Sequence, residues 1–226
     1  GRNMHIKPGI VNGAKIALSV VTAAGAAGFT AKYAWQAVKE SGAMSLASRS
    51  ALAMIITFFS FQVLPHVPVG VSEVHFIFGS TLFLLFGAAP AALGLALGLL
   101  LQGVTVAPFD LPQYGMNVTT LLVPMFAIKA VADRIIAPKT AYADVSYKQA
   151  LALSTTYQAG IVAWVGFWAV YGQGFAAMGE IATFGAAYLA VIAIEPFVDL
   201  AILAGAKALK GLGRTGLVSP RTFAAA

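Results

Sequence analysis

The chain has 226 residues, of which 59% are hydrophobic and only 10% are charged. Soluble domains carry about 25% charged residues, so this composition excludes an ordinary water-soluble fold. The formal net charge of +6 would suit nucleic acid or an anionic surface, but the cations flank apolar segments and form no single patch, which argues against a nucleic-acid partner. There is no cysteine, which excludes disulfides, thiolate metal sites and iron–sulfur clusters.

Apolar stretches fill most of the chain, and a helix needs about 20 apolar residues to cross the hydrocarbon core of a lipid bilayer. The sequence predicts an all-α, polytopic bundle of about seven transmembrane helices. The third and fourth stretches are short, which predicts either tilted spans or a tight helical hairpin. Pro124 and Pro196 lie inside the fifth and seventh and predict kinks. The seven predicted spans are 10–38, 46–64, 72–86, 90–106, 116–136, 147–171 and 177–209.

Lysine and arginine are distributed unevenly between the two sets of gaps. Of the 14, all but Arg2, Lys7 and Lys15 lie on one side of the predicted spans. The positive-inside rule then predicts an outer N-terminus and a cytoplasmic C-terminus, which requires an odd number of spans. We therefore predict a multi-pass protein of the cell inner (cytoplasmic) membrane, forming one integral membrane domain over residues 1–226 with a cytoplasmic tail at 210–226.

The polar residues on the predicted outer side include all three histidines. Proline and glycine are frequent in the same gaps, and irregular backbone is tolerated at membrane depth only where protein or a water-filled cavity surrounds it. This predicts loops that fold inward to build a site, although any single residue here also fits an ordinary solvated position. The outer residues of interest are His5, His66, Glu73, His75 and Asn117.

The N-terminal segment, residues 1–9, offers an unusual set of metal ligands. If the natural chain starts at Met4, its free amine, the backbone nitrogen of His5 and the His5 imidazole can chelate one ion in a plane. A further imidazole would complete a square-planar nitrogen set, a geometry that favours Ni(II) or Cu(II). The sequence leaves open whether residues 1–3 belong to the natural chain.

Two motifs make the sequence similar to a known family. Met4-His5-Ile6 is followed by Pro-Gly, and residues 68–75 read Pro-Val-Gly-Val-Ser-Glu-Val-His. Together they resemble the CbiM/NikM family, the substrate-capture (S) components of cobalt and nickel energy-coupling-factor (ECF) ABC transporters. The similarity extends over most of residues 4–136. It implies Ni²⁺ or Co²⁺ as transported substrate, bound by Met4, His5 and His75.

The resemblance also bears on the neighbouring residues and on the choice of metal. His66 does not match a ligand position, and we expect it to lie near the metal with Glu73 and Asn117. The loop 69–78 lacks the Thr-Gly-Thr-Gly run of cobalt members, which favours nickel without excluding cobalt.

The predicted function is that of a membrane-embedded substrate-binding component that captures nickel or cobalt at the outer face. The sequence contains no Walker phosphate loop, so the resemblance implies ATP-binding subunits and a coupling transmembrane subunit in separate chains. It also contains no catalytic triad, nucleophile elbow or paired-carboxylate site, so we expect no enzyme activity. The alternatives are an accessory subunit of a larger membrane complex with no metal transport of its own, and a general solute permease without metal.

Two further features allow more than one interpretation. Ala23, Ala27 and Ala31 recur at four-residue spacing on the first span, which suits either docking to the coupling subunit or packing within the chain. Glu195 and Asp199 lie inside the seventh span, and intramembrane carboxylates are rare and usually functional. They fit a proton relay, or pairing with Lys207, nearby arginines or a partner subunit.

Overall fold

The architecture is that of a computed structural model, in which residues 13–62, 67–69, 72–74, 77–138 and 140–209 are described. The predicted all-α bundle is confirmed, with one small β-hairpin added to it. The predicted metal-binding segment 1–9 and the tail 210–226 therefore lie outside the described residues. The helices are α1 Gly13–Ser41, α2 Ala43–Gln62, α3 Gly79–Phe86, α4 Ala88–Thr105, α5 Tyr114–Ile135, α6 Tyr147–Gln173 and α7 Met178–Ala208; the strands are β1 Val67–Val69 and β2 Ser72–Val74.

Six of these helices are long and apolar enough to cross a membrane. The third predicted span, 72–86, was wrong as a full crossing, because it divides into the strand β2 and the eight-residue helix α3. Eight residues extend only about 12 Å, less than half of the hydrocarbon thickness. Because this stretch begins with polar residues such as Ser72 and Glu73, its remaining apolar run is long enough for only half a span. The tight helical hairpin is confirmed, since Gly87 alone separates α3 from α4.

Helices α2 and α4 pack closely and run in the same direction. A Cβ on Gly94 would lie 2.3 Å from the Ala53 Cβ, and one on Gly98 would lie 2.7 Å from Thr57 Cγ2. Both contacts advance together along the two helices, which is the signature of parallel packing. Chain segment 63–87, which joins the two helices, must therefore return across the depth of the bundle. It makes the seventh crossing, and the helix described within it, α3, is short.

Helices α5, α6 and α7 alternate in direction. The Tyr157 hydroxyl on α6 donates to the Leu121 carbonyl on α5, and the Trp164 indole donates to Thr119 further back along α5. Glycines on α6 and α7 approach partners in the opposite chain order, with Gly166 near Ile181 and Gly185 near Val162. Combined with the parallel pair α2 and α4, this alternation places the start of α1 and the end of α7 on opposite faces.

Candidate functional site

The structure describes residues that follow the predicted metal ligand His75 in the sequence, but not the predicted ligands themselves. Met4, His5, His66 and His75 lie outside the described residues. The backbone of Glu73 lies in β2, where it pairs with Pro68 of β1 in an antiparallel register. Among the described residues, no three His, Cys, Asp or Glu side chains come together as a metal site.

Asn117, which we expected near the metal, lies in the first turn of α5 and is buried. The β-hairpin lies close to α7 through both of its strands. Only two residues separate the end of β2 from Ile77, which leads directly into α3. The hairpin, the start of α3 and the middle of α7 therefore form one continuous region.

Two carboxylates of α7 hold the beginning of α3. One oxygen of Glu195, Oε1, accepts hydrogen bonds from the backbone N–H groups of Ile77 (2.7 Å) and Phe78 (3.1 Å). The Ser80 hydroxyl donates to Asp199 Oδ2 at 2.6 Å. The first N–H groups of a helix have no partner within the helix, and α3 receives no side-chain cap from its own N-cap residue, Phe78. Glu195 of the adjacent helix supplies an acceptor for the N–H of Phe78 and for that of the preceding residue, Ile77.

These contacts lie deep within the bundle. Glu195 is fully buried, and it stands 17 residues after the start of α7 and 13 before its end. At the rise of an α-helix these separations are about 26 Å and 20 Å. The chain that enters α3 therefore lies deep in the bundle, far from both ends of α7.

A tyrosine ring of α6 packs directly against the first residue of α3. A Cβ on Gly79 would lie 2.1 Å from Cζ of Tyr157, so no larger residue fits there without displacing the ring. Tyr157 is fully buried, and its hydroxyl donates to the Leu121 carbonyl at 3.0 Å. Tyr157 of α6 and the two carboxylates of α7, Glu195 and Asp199, therefore form a clamp around the start of α3.

The other end of α3 is held by a buried arginine. Arg49 of α2 is 3% exposed, and its Nη1 donates to the Phe86 carbonyl at 2.6 Å. A helix carries partial positive charge at its N-terminus and partial negative charge at its C-terminus. Acidic groups at the first end and a guanidinium at the second therefore both complement α3. Sequence reasoning did not anticipate this arrangement, although the i, i+4 spacing of Glu195 and Asp199 puts them on one face of α7.

Several fully buried polar atoms around this clamp, within the described part of the chain, have no hydrogen-bond partner. They are both amide atoms of Gln158, the Tyr188 hydroxyl and Glu195 Oε2. Tyr142, on the predicted cytoplasmic side, is buried, and burial together with the charge of Asp199 raises the pKa of its hydroxyl.

The pairing of these carboxylates with Lys207, one of the alternatives from the sequence, is not present. The Lys207 Nζ instead donates to the Ala143 carbonyl at 2.7 Å. Lys207 lies 12 residues beyond Glu195 on α7, a rise of about 18 Å, which is too far for the two side chains to meet. The carboxylates hold the backbone and side chain of α3 instead.

A family model described as the cobalt uptake substrate-specific transmembrane region, CbiM, matches residues 5–210. The chain belongs to the CbiM family. The matched range extends from His5 to the end of α7, and so includes His75, the whole of α3 and both carboxylates. No match was found among curated proteins or among solved structures.

Membership of the CbiM family makes the chain a substrate-specific membrane component of cobalt uptake. Its six membrane-spanning helices agree with a multi-pass protein. The family is one of transport components and not one of enzymes. The clamp around α3 is thus part of a cobalt-uptake protein, which gives its buried carboxylates a functional context.

Proposed function

We propose that this CbiM-family chain captures Co²⁺ or Ni²⁺ at its outer face and passes the ion inward as part of an ECF-type transporter. The observation that carries the proposal is the anchorage of Ile77 and Phe78 to Glu195 inside the bundle. It supports an inward-folded segment between α2 and α4, and irregular backbone at such depth is typical of segments that line a site.

The proposed ligands are the Met4 amine, the backbone nitrogen and imidazole of His5, and the His75 imidazole. Consecutive Cα atoms are 3.8 Å apart, so the Cα of His75 lies within about 7.6 Å of that of Ile77. This reach supports a metal held beside the start of α3. We propose that His66, Glu73 and Asn117 lie near the ion without binding it.

The coupling subunit is proposed to dock on the first helix. Ala27, Gly28 and Ala31 of α1 are exposed, whereas Ala26 and Thr30 on the other side of that helix are buried. A Cβ added to Gly28 would meet no atom within 4 Å. Small residues let transmembrane helices approach closely, so this open face suits a helix of a separate transmembrane subunit. ATP-binding subunits on the cytoplasmic side of the inner membrane would complete the transporter.

The metal site is tested by measuring the metal content of purified protein whose N-terminus has been defined by mass spectrometry. We expect one Co²⁺ or Ni²⁺ per chain, and we expect His5→Ala and His75→Ala each to abolish binding. His66→Ala is the matched variant, since it removes an imidazole that is not a proposed ligand, and it should keep stoichiometric metal. Retention of stoichiometric metal by His75→Ala would contradict the proposed site.

The terminal amine is tested by comparing protein that begins at Met4 with protein that begins at Gly1. An amide nitrogen must lose a proton before it binds metal, so the longer form should bind Ni²⁺ much more weakly. Met4→Ala with a free terminus should bind nearly normally, because its side chain is not a proposed ligand. Equal affinity and equal d–d absorption spectra in the two forms would remove the amine from the site.

A further inference from the structure

The clamp on α3 suggests a role for Glu195 that goes beyond the proposed ligand set. Its Oε1 receives the N–H groups of two successive residues, Ile77 and Phe78. These residues are the second and third after His75. We propose that Glu195 is a positioning residue for the metal site, holding the main chain that carries His75 at the depth where the ion binds. This inference rests on the proposed function of His75 as a ligand.

The backbone at this point needs an external anchor. Phe78 has φ 56 and ψ 30, in the left-handed region that side chains other than glycine rarely adopt. Such conformations persist only where the surrounding structure holds them, and they cluster at functional sites. The two hydrogen bonds to Glu195 fall on Phe78 itself and on the residue before it. The carboxylate therefore stabilises the bend through which the chain passes from the His75 segment into α3.

The remaining contacts of the clamp act in the same direction. Ser80 is tied to Asp199, and Gly79 lies under the Tyr157 ring. The start of α3, which begins four residues after His75 in the sequence, is thereby held by both α6 and α7. Groups that orient metal ligands change metal affinity by about 10- to 100-fold when they are mutated. Glu195 has the contacts expected of such a group.

The test uses full-length protein with a common N-terminus, titrated with Co²⁺ alone. Glu195→Leu keeps most of the volume but removes the acceptor, and we expect it to weaken Co²⁺ binding by about 10- to 100-fold and to alter the d–d spectrum of the bound ion. Glu195→Gln keeps an oxygen that can accept both N–H groups, and should lose less affinity than the leucine variant. Unchanged affinity and spectrum in a folded Glu195→Leu protein would overturn the inference.

Lys207→Met provides a matched control on the same helix. It removes a side-chain hydrogen bond to a backbone carbonyl, that of Ala143, but it does so at the far end of α7. If loss of stability alone weakened Co²⁺ binding, this variant would weaken it too. We expect a lower unfolding temperature with unchanged affinity and spectrum, and an equal loss of affinity in Lys207→Met would also overturn the inference.

If Glu195→Leu fails to fold, Glu195→Asp decides the question. It keeps the carboxylate but shortens the side chain by one methylene, so that the oxygen no longer reaches both N–H groups. Weakened Co²⁺ binding supports the inference, and wild-type binding overturns it. A failure of the proposed function would be seen in other proteins. Either the unmodified protein would bind no Co²⁺, or His75→Ala would bind it as well as the unmodified protein does.

Discussion

At the scale of single residues, the start of α3 depends on side chains that sequence patterns treat as unrelated. Glu195 and Asp199 belong to one helix and Tyr157 to another, yet all three meet within the four residues from Ile77 to Ser80. A buried carboxylate is costly unless its oxygens accept hydrogen bonds. Oε1 of Glu195 accepts the N–H groups of Ile77 and Phe78, so this oxygen and the backbone at the entry to α3 each gain a partner.

Gly79 is the residue at which this packing is most sensitive. Gly79→Ala would place a methyl group 2.1 Å from a ring carbon of the fully buried Tyr157. Overpacking of this kind typically costs about 1–3 kcal/mol, so we expect a clearly lower unfolding temperature in detergent. Gly28→Ala is the control, because its new methyl would meet no atom within 4 Å. Equal unfolding temperatures for the two variants would contradict the close approach of Tyr157.

At the scale of the secondary-structure element, α3 is too short to be stable alone. Isolated helices of fewer than about 12 residues are marginal in water, and α3 has eight. Its buried apolar side chains and the partners at both ends supply the stability. Arg49 is the partner at the C-terminal end, where it binds the Phe86 carbonyl.

Arg49→Met is expected to destabilise the protein measurably. It preserves much of the aliphatic volume but removes the donor to Phe86, and hydrogen bonds to charged groups contribute about 1.5–3 kcal/mol. Lys129→Met is the comparison, since it breaks an i, i+4 ion pair with Asp133 and a cation–π contact with the Tyr33 ring. Such ion pairs contribute about 0.3–0.5 kcal/mol and exposed cation–π contacts about 0.5–1 kcal/mol, so the expected loss is smaller. Thermal unfolding in detergent measures both, and a larger loss for Lys129→Met would argue against the role of Arg49.

At the scale of the whole molecule, the parallel packing of α2 and α4 determines the topology. Because segment 63–87 crosses back between them, the six long helices and this segment together give an odd number of crossings. The two ends of the bundle therefore lie on opposite sides, as the positive-inside rule requires for this distribution of lysine and arginine. The charge pattern then assigns the lysine-rich side to the cytoplasm.

Single-cysteine labelling tests this topology on a chain that has no native cysteine. Phe175→Cys lies between α6 and α7 at a site 82% exposed, and it should react with an impermeant maleimide added to intact cells. Met44→Cys, 80% exposed at the start of α2, should react only after the membrane is opened. Thr140→Cys should behave like Met44→Cys. Labelling of Thr140→Cys from outside would invert or break the predicted arrangement.

The membrane class, the approximate position of six spans and the family can all be predicted from the sequence. These depend on length, hydropathy, charge distribution and short motifs, all of which are local along the chain. It identified Glu195 and Asp199 as unusual, because a carboxylate in an apolar run is visible without a structure. It also left a tight hairpin open for the third and fourth stretches, from their short length alone.

Two features could not be predicted without the folded structure. The stretch 72–86 contains a strand and a helix of half a span, and Glu195, Asp199 and Arg49 hold that helix. Hydropathy measures how favourably a segment leaves water, but not which backbone groups it leaves unpaired. The N–H groups of Ile77 and Phe78 find their acceptor 118 and 117 residues away along the chain. Pairing over such a distance depends on how the helices pack together, and no local pattern of residues encodes it.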